Sequence, residues 1–132
     1  MSEKRSNHTV HNVNYHFVWC PKYRHVILEA IEDSLESSFR DVCDEYGYEI
    51  LSLHISPDHV HLFLPAHPKY TPSEIVRMVK SITAREMWEQ YEPFLTEYLW
   101  GGGVWEESYY VGTAGDVSTD TIEQYIERTE HV

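Results

Sequence analysis

The sequence predicts an α+β fold of the ferredoxin-like, split β-α-β kind. Its pattern elements fall in the order strand, helix, strand, strand, helix, strand, with one extra helical pattern at the C-terminus. Ser56-Pro57-Asp58 places turn chemistry between the two middle strand patterns, which makes that pair a hairpin. With 132 residues, the chain has room for one domain and little more. We place the domain at 1–132, with a core over about 10–112 and a hinge plus terminal helix over about 113–130.

Val10 to Cys20 is rich in β-branched and aromatic residues and stops at Pro21, as a strand does. Lys22 to Glu29 connects it to a helix on which Ile31, Leu35, Phe39, Val42 and Tyr46 recur at helical spacing before Gly47. Glu49 to Ser56 alternates, with Leu51, Leu53 and Ile55 on one side, and His59 to Leu64 is its short partner. Thr71-Pro72-Ser73-Glu74 starts a second helix, because Thr71 can cap it, Pro72 suits its first turn and Glu74 completes a capping box. Ile75, Met78, Val79 and Ile82 form its apolar stripe to about Tyr91, with Arg77 and Lys80 on the opposite face. Ser108 to Val111 reads as the last strand. Gly112 and Gly115 bracket a hinge before a terminal helix from Asp116 to Thr129, capped by Ser118 or Asp120.

Composition sets limits. Hydrophobic residues make up 42%, enough for a packed core and too many for a disordered chain. No apolar run approaches the roughly 20 residues of a membrane span, and Met1 to Ser6 lacks a secretion signal, so we expect a cytoplasmic protein without a membrane partner. Cys20 and Cys43 lie far apart, without metal or redox spacing, and read as reduced thiols. Ten basic residues stand against 22 acidic ones, a formal charge of −12. On composition alone that balance speaks against nucleic acid, whose binders are usually basic.

Local sequence carries sharper signals. His59-Val60-His61 lies in a strand pattern, where residues two apart share a face, so both imidazoles point the same way. That arrangement suits half of a divalent-metal site, or two surface or hydrogen-bonded histidines. Tyr125 follows the glycine bracket and is either a nucleophile or core packing beside Ile122 and Ile126. Lys22, Arg24, Arg77 and Lys80 are four of the ten basic residues, and Tyr15, Phe17, Trp19 and Tyr23 lie close to some of them. Cations beside exposed rings suit a single nucleic-acid strand, while buried rings would belong to the core.

Together these residues resemble a known family, the single-tyrosine HUH transposases, or TnpA proteins, of IS200/IS605-type insertion sequences. The resemblance rests on the run from Tyr15 to Arg24, on Ser56 to Leu62, and on Pro68-Lys69-Tyr70 with Ile75-Val76 and Lys80-Ser81. Trp105, Tyr109-Tyr110-Val111, Gly115, Thr121-Ile122 and Tyr125-Ile126 complete it, in family order over roughly residues 12 to 128. It implies a dimeric enzyme that cleaves and rejoins single-stranded DNA at element ends and recognises hairpins there. It further implies Tyr125 as the nucleophile and His59 and His61 as ligands of Mg²⁺ or Mn²⁺. With such a partner, the cations and the ring read above, Lys22, Tyr23, Arg24, Arg77 and Lys80, are the residues we expect to bind DNA. Relatives place Gln one helical turn after the tyrosine as a third ligand. Here that position is Thr129, followed by Glu130 and His131 as substitutes. Thr129 favours a rival reading, a decayed or domesticated protein that binds hairpins without cutting them. An RNA-binding domain of the same fold ranks last, since His59 and His61 stand where it would carry aromatics.

The charge then takes another meaning. Sixteen Glu against four Lys is a balance common in proteins that stay soluble in concentrated salt. We expect a halophilic archaeal source, with self-repulsion and phosphate steering both screened over roughly 3 Å.

Overall fold

A computed structural model describes residues 13–113, together with the backbone of two short N-terminal strands. Those strands, β1 (Lys4–Ser6) and β2 (Thr9–His11), pair antiparallel with each other. The main body follows as β3 (Asn14–Trp19), α1 (Glu32–Tyr46), β4 (Ser52–Ser56), β5 (His59–Pro65), α2 (Pro72–Thr96) and β6 (Tyr110–Thr113). Its sheet runs in the order β4-β5-β3-β6, antiparallel throughout. Each helix therefore connects two strands that are separated by a third. β5 divides β3 from β4, and β3 divides β5 from β6, which is the split β-α-β arrangement expected from the sequence.

The alternation of each strand decides which face is covered. Val60, Leu62 and Leu64 of β5 are fully buried, as are Phe17 and Trp19 of β3. They join one apolar cluster with Leu35, Phe39 and Val42 of α1 and Ile75, Val76 and Val79 of α2. Trp19 meets Phe39 and Trp105 edge to face, a favoured arrangement of ring quadrupoles. One end of each helix closes as its sequence announces. Gly47 takes φ 76°, and the N–H of Tyr48 reaches back to the Cys43 carbonyl at 2.8 Å, the left-handed closure that favours glycine. At the start of α2, Thr71 Oγ1 accepts from the Glu74 N–H at 3.1 Å, and Glu74 Oε1 accepts from the Thr71 N–H at 2.8 Å.

Several boundaries differ from the expectation. The run from Val10 to Cys20 is two strands, because residues 9–11 pair with β1 while 14–19 pair with β5 and β6. β4 begins at Ser52 rather than Glu49, and Leu51 is exposed. The last strand is Tyr110–Thr113 rather than Ser108–Val111, since its register is set by pairing with β3 and the Ser108 carbonyl turns to Lys80. α2 does not stop at Tyr91. It kinks there, at φ −129° and ψ 31°, two residues before Pro93, and resumes to Thr96. The connecting segment contains two short 3₁₀ turns, Lys22–Arg24 and Leu28–Ile31. Gly115 and the expected terminal helix lie outside the described residues, as do Tyr125, Thr129, Glu130 and His131. Cys20 and Cys43 are buried thiols with no disulfide between them. Among the described residues no helix is long and apolar enough to cross a membrane.

Candidate active site

β5 presents its histidines away from the helices. Val60 and Leu62 point into the core, so His59 and His61 share the opposite face, with ring centres 4.9 Å apart. Pairing adds two more histidines to that face. His54 of β4 lies directly opposite His61, with ring centres 6.1 Å apart. His16 of β3 comes in from the other side, with Nε2 3.2 Å from Nδ1 of His61. His16, Ser52, His54, His61 and Phe63 line a shallow cleft.

Burial, reinforced by His59, His16 and His54, pushes His61 down to about 4, and burial also lowers His16. His61 is therefore neutral at neutral pH, with a lone pair for a metal. Among the described residues, the hydrogen bonds of both site histidines run through Nδ1. His61 meets His16 there, and His59 meets Asp58 Oδ1 at 2.8 Å. Arg24 holds the other oxygen of Asp58, with Nε 3.2 Å from Oδ2. Two neutral imidazoles on one rigid strand are the chemistry that a divalent cation takes. Among the described residues no group of three or more His, Cys, Asp or Glu is placed to hold a metal.

The residues expected to bind DNA fall into two places. Lys22, Tyr23 and Arg24 sit in the turn after β3, where Tyr23 and Arg24 both take left-handed backbone, at φ 58° and 51°. Arg24 is tied to Asp58 and so to the histidine face, and Tyr23 is exposed. Arg77 and Lys80 line a groove between α2 and the segment 103–109. The two lysines also hold structure. Lys22 Nζ donates to the Gly102 carbonyl at 2.6 Å, under Gly103 at φ 74°, where an added Cβ would lie 3.2 Å from that nitrogen. Lys80 Nζ donates to the Glu106 carbonyl at 2.6 Å, with the carbonyls of Glu107 and Ser108 at 3.3 and 3.4 Å. Arg77 is exposed. Phe17 and Trp19 cannot stack on bases as the sequence had allowed, because both are fully buried in the core.

Nothing local in the sequence marks His16, His54 or Asp58 as functional. Alternation alone would have turned His16 away from Phe17 and Trp19, but only strand pairing sets it beside His61.

Residues 9–129 match the family described as Transposase IS200 like. The chain belongs to the IS200-like transposase family. Among members of this family it is 38% identical over 125 residues to the ISDra2 transposase TnpA of Deinococcus radiodurans, covering 94% of this chain and 89% of that protein. The transposase for insertion sequence element IS200 of Salmonella typhimurium is 30% identical over 125 residues, with 94% and 81% covered. The crystal structure of a putative transposase from Deinococcus radiodurans superposes with a TM-score of 0.87 at 35% identity, covering 98% of this chain and 99% of that one. A REP-associated tyrosine transposase bound to a REP hairpin shares the fold alone, with a TM-score of 0.57 at 16% identity over 96% of this chain and 69% of that one.

Proposed function

We propose that this IS200-like transposase cleaves and rejoins single-stranded DNA at insertion-sequence ends, as a homodimer that recognises hairpins near those ends. The observation that carries the reading is the pair His59 and His61 on one face of β5, each hydrogen-bonded through Nδ1, in a chain of this family. The hairpin in the REP-associated structure supports the choice of DNA partner.

Tyr125 is the nucleophile in this reading. Its phenol oxygen bonds to phosphorus while the bond from phosphorus to the 3′ oxygen breaks, and that oxygen takes a proton to leave as a 3′-OH. The 5′-phosphotyrosine link keeps the phosphodiester energy, so attack by a 3′-OH on the same phosphorus rejoins a strand and returns the phenol without ATP. Nε2 of His59 and of His61 would hold Mg²⁺ or Mn²⁺, with Thr129, Glu130 or His131 completing the set. When bound, the divalent ion supplies charge neutralisation at a phosphate oxygen and orientation of the scissile bond. Tyr23, Arg24 and Arg77 would contact the strand, and Lys22 and Lys80 would add charge while holding the 101–108 segment.

A second reading, a hairpin-binding protein without catalysis, is favoured by Thr129 in place of Gln. One experiment separates the two. The protein is incubated with end-labelled single strands from the flanks of its own gene and Mn²⁺. A covalent protein–DNA adduct that disappears in Tyr125→Phe supports the transposase. Hairpin binding without any adduct supports the binding protein. We also read the −12 charge as adaptation to a saline cytoplasm, in a halophilic archaeon.

A further inference from the structure

The two histidines of β5 are held by different partners in the same way. A neutral imidazole carries one hydrogen, so whichever nitrogen donates it leaves the other as the donor atom for a metal. We propose that His16 and Asp58 are positioning residues of the metal site, which hold His61 and His59 in the Nδ1–H form and so leave Nε2 of both rings for the cation. The inference rests on the metal role given above to His59 and His61.

Asp58 settles the tautomer of His59 by its own chemistry. An ionised carboxylate has only acceptor atoms, so the 2.8 Å contact to His59 Nδ1 requires a hydrogen on that nitrogen. Arg24 fixes the carboxylate through its second oxygen, at 3.2 Å. The backbone that brings Arg24 there is strained, with two consecutive non-glycine residues at positive φ. It is held by the Tyr23 N–H on Glu106 Oε2 at 2.7 Å and the Arg24 N–H on the Pro21 carbonyl at 2.9 Å.

His61 has a less obvious partner. His16 Nε2, 3.2 Å from His61 Nδ1, accepts a hydrogen from it when His16 carries its own hydrogen on Nδ1. β3 keeps His16 in place, because its backbone pairs with Phe63 of β5 on one side and Gly112 of β6 on the other. The Phe63 ring meets the His16 ring edge-on, with centres 5.8 Å apart. A metal-bound imidazole usually donates its remote N–H to an acceptor in this manner, and loss of that acceptor costs roughly 10- to 100-fold in metal affinity.

The test reads tautomers and metal affinity rather than turnover alone. Long-range ¹H–¹⁵N NMR spectra of the metal-free full chain are expected to show His59 and His61 both with hydrogen on Nδ1. In His16→Leu, His61 should lose that preference, and Mn²⁺ affinity, read from the paramagnetic resonance of free Mn²⁺, should fall about tenfold or more. His16→Gln keeps an acceptor oxygen and should stay within about threefold of wild type, and Asp58→Ala should disturb His59 alone. An Nε2–H form of His61 in the wild-type spectrum overturns the inference, a result that does not depend on any variant folding. Wild-type Mn²⁺ affinity in folded His16→Leu, with binding lost in His61→Ala, overturns it while leaving the metal reading intact. Unchanged binding in His61→Ala removes the metal reading and the inference together.

Discussion

Lys80 Nζ lies 2.6 Å from the Glu106 carbonyl oxygen, which ties the middle of α2 to the segment that leads into β6. The same ammonium sits 5.8 Å from the centre of the Tyr109 ring. Burial pushes Lys80 down to about 8, while Glu106 and Glu107 pull it back up. The unfolded chain, with an ordinary lysine near 10.4, binds more protons than the folded one between those two values. The cost of burying the charge is present in full below about pH 8 and is relieved as pH rises through the window. Urea unfolding of wild type and Lys80→Met from pH 7.5 to 10.5 should show the difference shifting in favour of wild type. A constant difference would mean that the three carbonyls keep the ammonium charged throughout.

Arg77 and Lys80 line one groove but should behave differently toward DNA. Arg77 is exposed, whereas the hydrogen bonds of Lys80 run to loop carbonyls. Arg77→Ala should weaken binding to a hairpin strand and reduce the slope of log K against log salt by about 1, as loss of one phosphate contact does. Lys80→Met should reduce that slope by clearly less and act mainly on stability. Equal loss of slope in both would return Lys80 to the DNA-contact set.

The core can be read from strand alternation and helix periodicity, and it is less forgiving than either groove. Phe39 lies between Trp19, edge-on at 5.8 Å, and Trp105, stacked at 6.2 Å. Phe39→Ala should therefore cost about 3–5 kcal/mol in chemical denaturation, as removal of a buried aromatic does. The start of α2 is milder. Thr71→Ala removes the acceptor of the Glu74 N–H and should cost about 1 kcal/mol, while Thr71→Ser should restore most of it.

These local rules explain why some of the fold and site was legible in sequence and some was not. The Thr71 cap, the Gly47 stop and the alternation of Val60 and Leu62 depend on neighbours a few residues away, and each appears where expected. His59 and His61 share a face for the same reason. The split at residues 9–14 and the shift of the last strand depend on which strands pair, which a single strand's residues do not state. His16 belongs with His61 across 45 residues of chain, and Lys80 with the Glu106 carbonyl across 26, so neither relation has a local signal. Lys22 and Lys80 look like solvated cations in sequence because the carbonyls that occupy them belong to the backbone, whose path the residue types leave open.

The acid excess is costly to the fold at low ionic strength. The outer face of α1 carries Glu32, Asp33, Asp41, Asp44 and Glu45, all exposed. Arg40, which pairs with Glu36 at 3.0 Å, is the helix's one basic residue. Asp44 and Glu45 also sit in the last turn, where the helix dipole disfavours anions by about 0.3–1 kcal/mol each at low ionic strength. At molar salt the screening length contracts to about 3 Å, shorter than the 5–6 Å between neighbouring side chains on a helix, and both penalties fade. Stability in urea should therefore rise from 0.1 to 2 M KCl. The rise should be smaller in Glu45→Lys, which removes one repulsion and complements the dipole. Choosing this charge swap separates screening from a general effect of salt on apolar burial, which would raise both proteins alike. Equal stability of the wild type at low and molar KCl would remove the saline reading of the −12 charge.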